Sequence, residues 1–145
     1  MKLALRADAP GGATWSQKLA CNLIKARLVS QFSHGGMVID GGMYHMTASR
    51  NMHIIPEGQW EPDKWHLFEL GTARDAEAKR LFEQYKAAKY DWVSLLAFVG
   101  PRVRDASRIY CFEWCWLAMA GENPSVRIMP EKLIELAWRM TRCAT

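Results

Sequence analysis

Two histidines near the start of the chain and one cysteine much later are the residues best suited to do chemistry. His34 and His45 belong to one short glycine-rich segment, and Cys111 begins a long apolar run. A cysteine attacks as a thiolate, and both a helix N-terminus and a nearby imidazolium lower its pKa. These residues predict Cys111 as a nucleophile, His34 as its general base and His45 as the group that holds the His34 ring.

The two histidines are expected to share a β-hairpin. The Asp40-Gly41-Gly42 sequence is a strong turn signal between two predicted strands. With a four-residue loop, Gly36 pairs with His45, and His34 becomes the diagonal neighbour of His45 on the same face. This register allows a hydrogen bond between the imidazoles. A two-residue loop at Gly41-Gly42 keeps them on one face but further apart, and a three-residue loop with a bulge changes the register.

Cys111 is expected in the first turn of a buried central helix. The segment Cys111–Ala120 is almost entirely apolar, and Gly121 is suited to end it. The first backbone N–H groups of a helix lack internal partners, so the N–H of Cys111 is expected to face a developing oxyanion. The other predicted elements are strands at Lys2–Arg6, Met37–Ile39, Met43–Thr47 and Lys64–Leu70, and helices at Trp15–Leu28, Thr72–Ala88, Asp91–Val99 and Glu131–Met140.

The bulk properties predict one domain, residues 1–145. Half of the 145 residues are hydrophobic and seven are Trp, which is enough for a well-filled core. A net charge of +4 without a concentrated basic stripe gives no sign of nucleic-acid binding. The apolar runs are too short for a transmembrane segment, and the N-terminus lacks the apolar core of a signal peptide. We therefore expect a protein that is cytoplasmic at synthesis, with its site of action open.

The order of these residues resembles the circularly permuted branch of the NlpC-type papain-like superfamily. That branch includes YiiX-like bacterial proteins and the lecithin:retinol acyltransferase family. The shared pattern is Ser33-His34 before a strand, His45 on the next strand, and a late Cys111-Phe112-Glu113. The family usually has Ser after the cysteine, and this chain has Phe112. The segment Lys89-Tyr90-Asp91-Trp92 also looks like a Tyr-Asp motif of phage and bacterial members.

The resemblance covers roughly residues 28 to 133 and implies an α+β, papain-like fold in permuted order. In that fold an antiparallel sheet packs against a central helix that bears Cys111, and Tyr90 lines the substrate cleft. The implied activity is that of a cysteine peptidase or amidase, with cell-wall peptide as the first substrate to test and with no cofactor. Two alternatives are an acyltransferase or thioesterase acting on lipid or acyl chains, and a non-catalytic phage or assembly protein that kept the fold. Phe112, which crowds the nucleophile, favours the last.

Other roles are open for several of these residues. A zinc site built from His34, His45, Cys111 and Cys115 has suitable ligand types, but two cysteines on one helix without a knuckle make a poor site, so no metal is predicted. Cys115 is expected to pack in the core, and Glu113 to have a structural role at the helix start. The side chains of Thr47 or Asn51 are alternative partners for the base. His53, expected in a loop, and His66, expected on a strand, have surface roles by default.

Overall fold

An antiparallel sheet of five strands positions most of the residues singled out above. The computed structural model describes residues 1–9, 12–91, 107–124 and 127–142. The strands of this sheet are β1 (Lys2–Arg6), β2 (His34–Ile39), β3 (Gly42–Thr47), β4 (Asn51–Ile55) and β5 (His66–Glu69). Their order across the sheet is β4-β3-β2-β1-β5. The strand that carries His34 is therefore central, and β4 and β5 are the edges.

Four α-helices and a small second sheet complete the described part of the chain. The helices are α1 (Trp15–Leu28), α2 (Asp75–Tyr85), α3 (Cys111–Ala120) and α4 (Pro130–Arg142), and the small sheet pairs β6 (Lys89–Tyr90) with β7 (Arg108–Ile109) in parallel. The expected α+β class, with an antiparallel sheet against a cysteine-bearing helix, is confirmed. Within the described ranges, no helix has the length and apolar character needed to cross a bilayer.

The hairpin of β2 and β3 has the predicted register. Gly36 pairs with His45, and Ile39 pairs with Gly42, which leaves Asp40-Gly41 as the loop. Both loop residues have positive φ, 48° for Asp40 and 79° for Gly41. That combination is typical of a two-residue type I′ turn, whose twist matches that of the strands. The turn is thus shorter than the predicted four-residue loop, and it keeps the same pairing.

Helix α3 is buried because its sequence is apolar on every side. It packs against β2 and β3 on one side and against α2 and α4 on the other. Trp114 is fully buried, and its Nε1 donates to the carbonyl of Tyr44 on β3 at 2.9 Å. Gly121, with φ of 82°, ends the helix as predicted. The start of α3, and with it Cys111, is therefore fixed against the sheet.

The opposite face of the sheet is covered by the connection between β4 and β5. Ala4, Val38 and Met43 form a small apolar cluster there, against which Ile55, Trp60 and Trp65 pack. Because side chains alternate along a strand, His34 and Gly36 share this face of β2 with Val38. The two histidines of the hairpin therefore lie on the face away from α3.

Some element boundaries differ from the predictions. Strand β4 was not predicted, because Asn51–Ile55 alternates too weakly to stand out. Helix α1 begins after Thr14, whose side chain forms a capping box with Gln17. Helix α2 begins at Asp75 rather than Thr72. Nearly all of the predicted helix Asp91–Val99 lies outside the described residues.

Replacing Gly35 by Ala should separate α3 from the sheet. A Cβ on Gly35 would lie 2.9 Å from Cδ1 of Phe112 and 3.1 Å from Sγ of Cys115, so either the helix or the strand must shift. We expect the free energy of unfolding to fall by about 1–3 kcal/mol, measured by urea denaturation. Gly42→Ala is the matched control, since its Cβ would meet Ile54 at an ordinary 3.4 Å. Equal losses in both variants would contradict this account.

Candidate active site

A hydrogen bond joins the two histidines of the hairpin. Nε2 of His34, the first residue of β2, lies 3.1 Å from Nδ1 of His45 on β3. The two ring centroids are 5.3 Å apart. His45 is buried and His34 is half-buried. The bond that the register allowed is therefore present, and it leaves Nδ1 of His34 as the ring atom available for another partner.

A third histidine, which sequence analysis placed on the surface, extends this pair. His53 lies on β4 directly opposite His45, and their Nε2 atoms are 2.8 Å apart. Nδ1 of His53 is 3.0 Å from the carbonyl oxygen of Asn51. The prediction of a loop position and a surface role for His53 was wrong because β4 was not recognised. The available signal was the symmetric placement of His45 and His53 about the turn-forming Ala48-Ser49-Arg50 segment.

Both inner histidines are held neutral. Burial lowers the pKa of His34 to about 4, and the positive charge of Arg6, its neighbour on β1, adds to the effect, as does His53 when it is protonated. Burial likewise lowers the pKa of His45 to about 2, with further contributions from the neighbouring His34, His53 and Arg50. Neutral imidazoles each carry one N–H and one lone pair, so each ring can donate one hydrogen bond and accept another.

Cys111 begins α3 and is fully buried. Burial raises the pKa of its thiol to about 11, which outweighs the lowering by the Tyr90 hydroxyl and by backbone N–H groups, including that of Gly35. The hydroxyl of Tyr90 lies 3.9 Å from Sγ. The expectation that the helix start and an imidazolium would leave Cys111 with a lowered pKa is wrong for this state, because the thiol is more deeply buried than its sequence indicated.

The His34 and Cys111 side chains form no hydrogen bond with each other, although both lie in the described part of the chain. The alternation of β2 accounts for the separation. His34 faces the side away from α3, whereas Gly35, the next residue, faces α3 and lies beside Cys111. His34 and Cys111 therefore flank the same end of one strand, from its two faces.

A cleft of about 620 Å³ opens beside the histidines. It lies between α1, the β4–β5 connection and the end of the sheet. Its walls include His34, His45, Thr47, Tyr90, Cys21, Ile24, Ile55, Trp60 and Trp65. Tyr90 lines this cleft, and its hydroxyl contacts Sγ of Cys111, whereas Phe112 is buried against Gly35. Tyr90 is therefore in contact with both the cleft and the thiol.

Glu113 and Cys115, the remaining residues singled out on α3, lie in contact with the helix start and the core. The carboxylate of Glu113 accepts the backbone N–H of Tyr110 at 3.3 Å, just before α3. Cys115 is buried one turn beyond Cys111. Among the residues that the structure describes, no group of three or more histidine, cysteine or acidic side chains is arranged to hold a metal ion. Their arrangement therefore gives no support to the zinc alternative.

The lowered pKa values predict a loss of stability in mild acid. In the unfolded chain His34 and His45 take up protons near pH 6.5, whereas in the native protein they do so only near 4 and 2. The free energy of unfolding is therefore highest above pH 6.5. It falls as the pH drops toward 4, by about 1.4 kcal/mol per pH unit for each histidine. Urea denaturation at several pH values measures this slope. His45→Asn should flatten it, and an unchanged slope in that variant would contradict the assignment.

Comparison with known proteins identified no relative of this chain. No protein-family model, no curated protein and no solved structure matches the chain. Function must therefore be argued from the residues of the site.

Proposed function

We propose that the protein is a thiol-dependent hydrolase that cleaves an amide bond through an acyl-enzyme on Cys111. The observation that carries this proposal is the hydrogen bond between His34 and His45 at the strand end where Cys111 begins α3. A histidine oriented by a second polar group, beside a cysteine at a helix N-terminus, is the arrangement that activates a thiol. The proposed roles are nucleophile for Cys111, base for His34 and orienting residue for His45.

The proposed reaction has two halves. Nδ1 of His34 takes the thiol proton while Sγ of Cys111 bonds to the carbonyl carbon, whose oxygen becomes an oxyanion near the first N–H groups of α3. When the C–N bond breaks, His34 gives its proton to the amine. Water then attacks the thioester and loses a proton to His34. The C–S bond then breaks, His34 returns its proton to Sγ, and the carboxylic acid leaves.

The proton moves during attack rather than before it. With the thiol pKa near 11 and the His34 pKa near 4, the resting pair is neutral rather than a thiolate and an imidazolium. His34 is unprotonated at neutral pH and can act as the base, but a pKa near 4 makes it a weak one, so the opening of the site by substrate must raise the pKa of His34 toward the operating pH. Proton transfer during attack also keeps an uncompensated thiolate out of the buried site before substrate is bound.

Substrate must open the site before this chemistry begins. Cys111 is fully buried, the hydroxyl of Tyr90 contacts its Sγ, and Tyr90 also lines the cleft. We infer that a substrate in the cleft displaces Tyr90, and that the starts of β2 and α3 must also shift before Nδ1 of His34 and Sγ of Cys111 can meet around the strand end. Catalytic contacts are often long in free enzymes and shorten only in the complex, so the missing His34–Cys111 bond is compatible with this order of events.

The permuted papain-like assignment is part of the same proposal. The chain supports it through an antiparallel sheet whose histidine strand precedes a cysteine-bearing helix, in the order opposite to that of papain. A bacterial or phage cell-wall peptide is the first substrate to test, by family resemblance alone. The half-buried base, the cleft and Tyr90 are features of this chain itself, and they allow an extended peptide to lie across the strand end.

Two observations favour other functions. The cleft has apolar walls at Ile24, Ile55, Trp60 and Trp65, which suit an acyl chain and favour a thioesterase or acyltransferase. The enclosed, neutral Cys111 favours a protein without catalytic activity, such as a phage assembly component. Substrate turnover separates these three candidates.

The main test combines turnover with trapping of the intermediate. Peptide p-nitroanilides, p-nitrophenyl esters and acyl thioesters are incubated with the protein, and mass spectrometry locates any acyl group. We expect acylation of Cys111, no turnover in Cys111→Ala, and a loss of about 10²–10⁴-fold in His34→Ala, since general-base catalysis is worth that much. Cys115→Ala, which removes a buried thiol on the same helix, is the control that keeps turnover.

The substrate preference and the acylated residue decide among the candidates. Faster turnover of anilides supports the amidase, and faster turnover of long-chain thioesters supports the acyl-directed alternative. Turnover that survives Cys111→Ala, acylation confined to Cys21, or no acylation with any substrate would overturn the proposal.

The role of Tyr90 as the cover of Cys111 gives a separate prediction. Tyr90→Ala removes the ring between the cleft and the thiol, so Cys111 should react faster with iodoacetamide at pH 8 than in the parent protein. Tyr90→Phe keeps the ring and should leave the rate close to that of the parent. Labelling is followed residue by residue, because Cys21 also lines the cleft. Equal rates in all three proteins would show that Tyr90 does not cover the thiol.

A further inference from the structure

We propose that His53 and the Asn51 carbonyl are positioning groups that set the tautomer of His34 through His45. The proposal rests on the proposed function only for the role of His34 as base. It is carried by three consecutive contacts: Asn51 O to His53 Nδ1 at 3.0 Å, His53 Nε2 to His45 Nε2 at 2.8 Å, and His45 Nδ1 to His34 Nε2 at 3.1 Å. We call these four groups the imidazole relay.

The hydrogen bonds of the relay all run in one direction, because the outermost acceptor is a carbonyl oxygen. The Asn51 oxygen only accepts hydrogen bonds, so Nδ1 of His53 must carry the proton in that contact. When His53 is neutral, its Nε2 therefore has a lone pair. Its neighbour, Nε2 of His45, must therefore be the donor, because two lone pairs at 2.8 Å would repel each other.

The same logic continues inward to the proposed base. Burial keeps His45 neutral, so with a proton on Nε2 it has a lone pair on Nδ1. That lone pair accepts from Nε2 of His34. His34 is also neutral, and its remaining lone pair is then on Nδ1. This is the atom that the proposed reaction requires as the acceptor of the thiol proton.

The contact with His45 alone does not decide which nitrogen of His34 carries the proton. An isolated pair of neutral imidazoles is equally satisfied with the bond donated in either direction, and the reverse direction would put a proton on Nδ1 of His34. The contact with His53, anchored to the Asn51 carbonyl, removes that ambiguity. A base with its proton on the wrong nitrogen costs a catalytic triad about 10⁴-fold in kcat.

Asn51 links the relay to the residue that contacts the thiol. Its backbone has φ of 55°, in the left-handed region that Asn tolerates better than most residues. Its side-chain oxygen accepts the backbone N–H of Tyr90 at 3.3 Å. One residue thus anchors His53 through its backbone and holds Tyr90 through its side chain.

Three substitutions of His53 separate direction from packing. Gln in place of His53 can donate to the Asn51 carbonyl and accept from His45, so His53→Gln should preserve the direction. Leu can do neither, and Lys can only donate, so His53→Leu should remove the preference and His53→Lys should reverse it. Thermal unfolding of each variant by circular dichroism shows that the fold is retained.

The tautomers are measured directly, by long-range ¹H–¹⁵N correlation spectra of the histidine rings at pH 8. We expect the proton of His34 on Nε2 in the parent protein and in His53→Gln, and a shift toward Nδ1 in His53→Leu and His53→Lys. The kinetic measurement uses the substrate that the turnover test shows to react fastest. In His53→Leu and His53→Lys, kcat should fall about 10-fold or more while KM changes little, since a wrong tautomer impairs chemistry rather than binding.

The ring spectra and the kcat measurement test separate parts of the proposal. The spectra need no substrate, so they decide the direction of the relay even if the hydrolase proposal fails. A proton on Nδ1 of His34 in the parent protein, or the same His34 tautomer in all four folded proteins, would overturn the relay. A full shift of the tautomer with unchanged kcat would overturn its positioning role.

Discussion

The close approach of α3 to β2 is the constraint on which the rest of the site depends. Gly35 has no side chain, so Phe112 and Cys115 of the helix lie directly against the strand. The same residue places its backbone N–H beside Sγ of Cys111 and stands next to His34 in the chain. A single strand end thus fixes the thiol on one face of the sheet and the imidazole on the other.

Burial is the dominant electrostatic effect at this site. It raises the pKa of the thiol and lowers the pKa of both inner imidazoles, and both shifts favour the uncharged form. Arg6 and Arg50 reinforce the neutrality of the histidines without forming the site themselves. The thiol and the imidazoles of such a site stay uncharged and unreactive until a ligand enters the cleft, because a charged group inside it would lack solvation.

The sequence predicted those parts of the site that follow from local pattern. The parity of a hairpin around the turn-forming Asp40-Gly41-Gly42 segment allowed His34 and His45 to share a face, without deciding among the possible loop lengths. A nearly continuous apolar run placed Cys111 at the start of α3. Strand β4 was missed because its edge position leaves little alternation to recognise, and His53 was misplaced with it. The depth of Cys111 depends on how Tyr90, distant in sequence, packs over it, and no local pattern carries that information.

The outermost histidine of the site is carried by an edge strand. Among the strands that the structure describes, β4 pairs in the large sheet only with β3, so its hydrogen bonds should open through local fluctuations well below the free energy of global unfolding. Such an opening releases His53, and with it the Asn51 anchor of Tyr90, while His34 and His45 remain paired on interior strands. The lifetime of the ordered site is then set by the fraying of one five-residue strand, and changes on the outer edge of β4 can alter the site without touching the cleft.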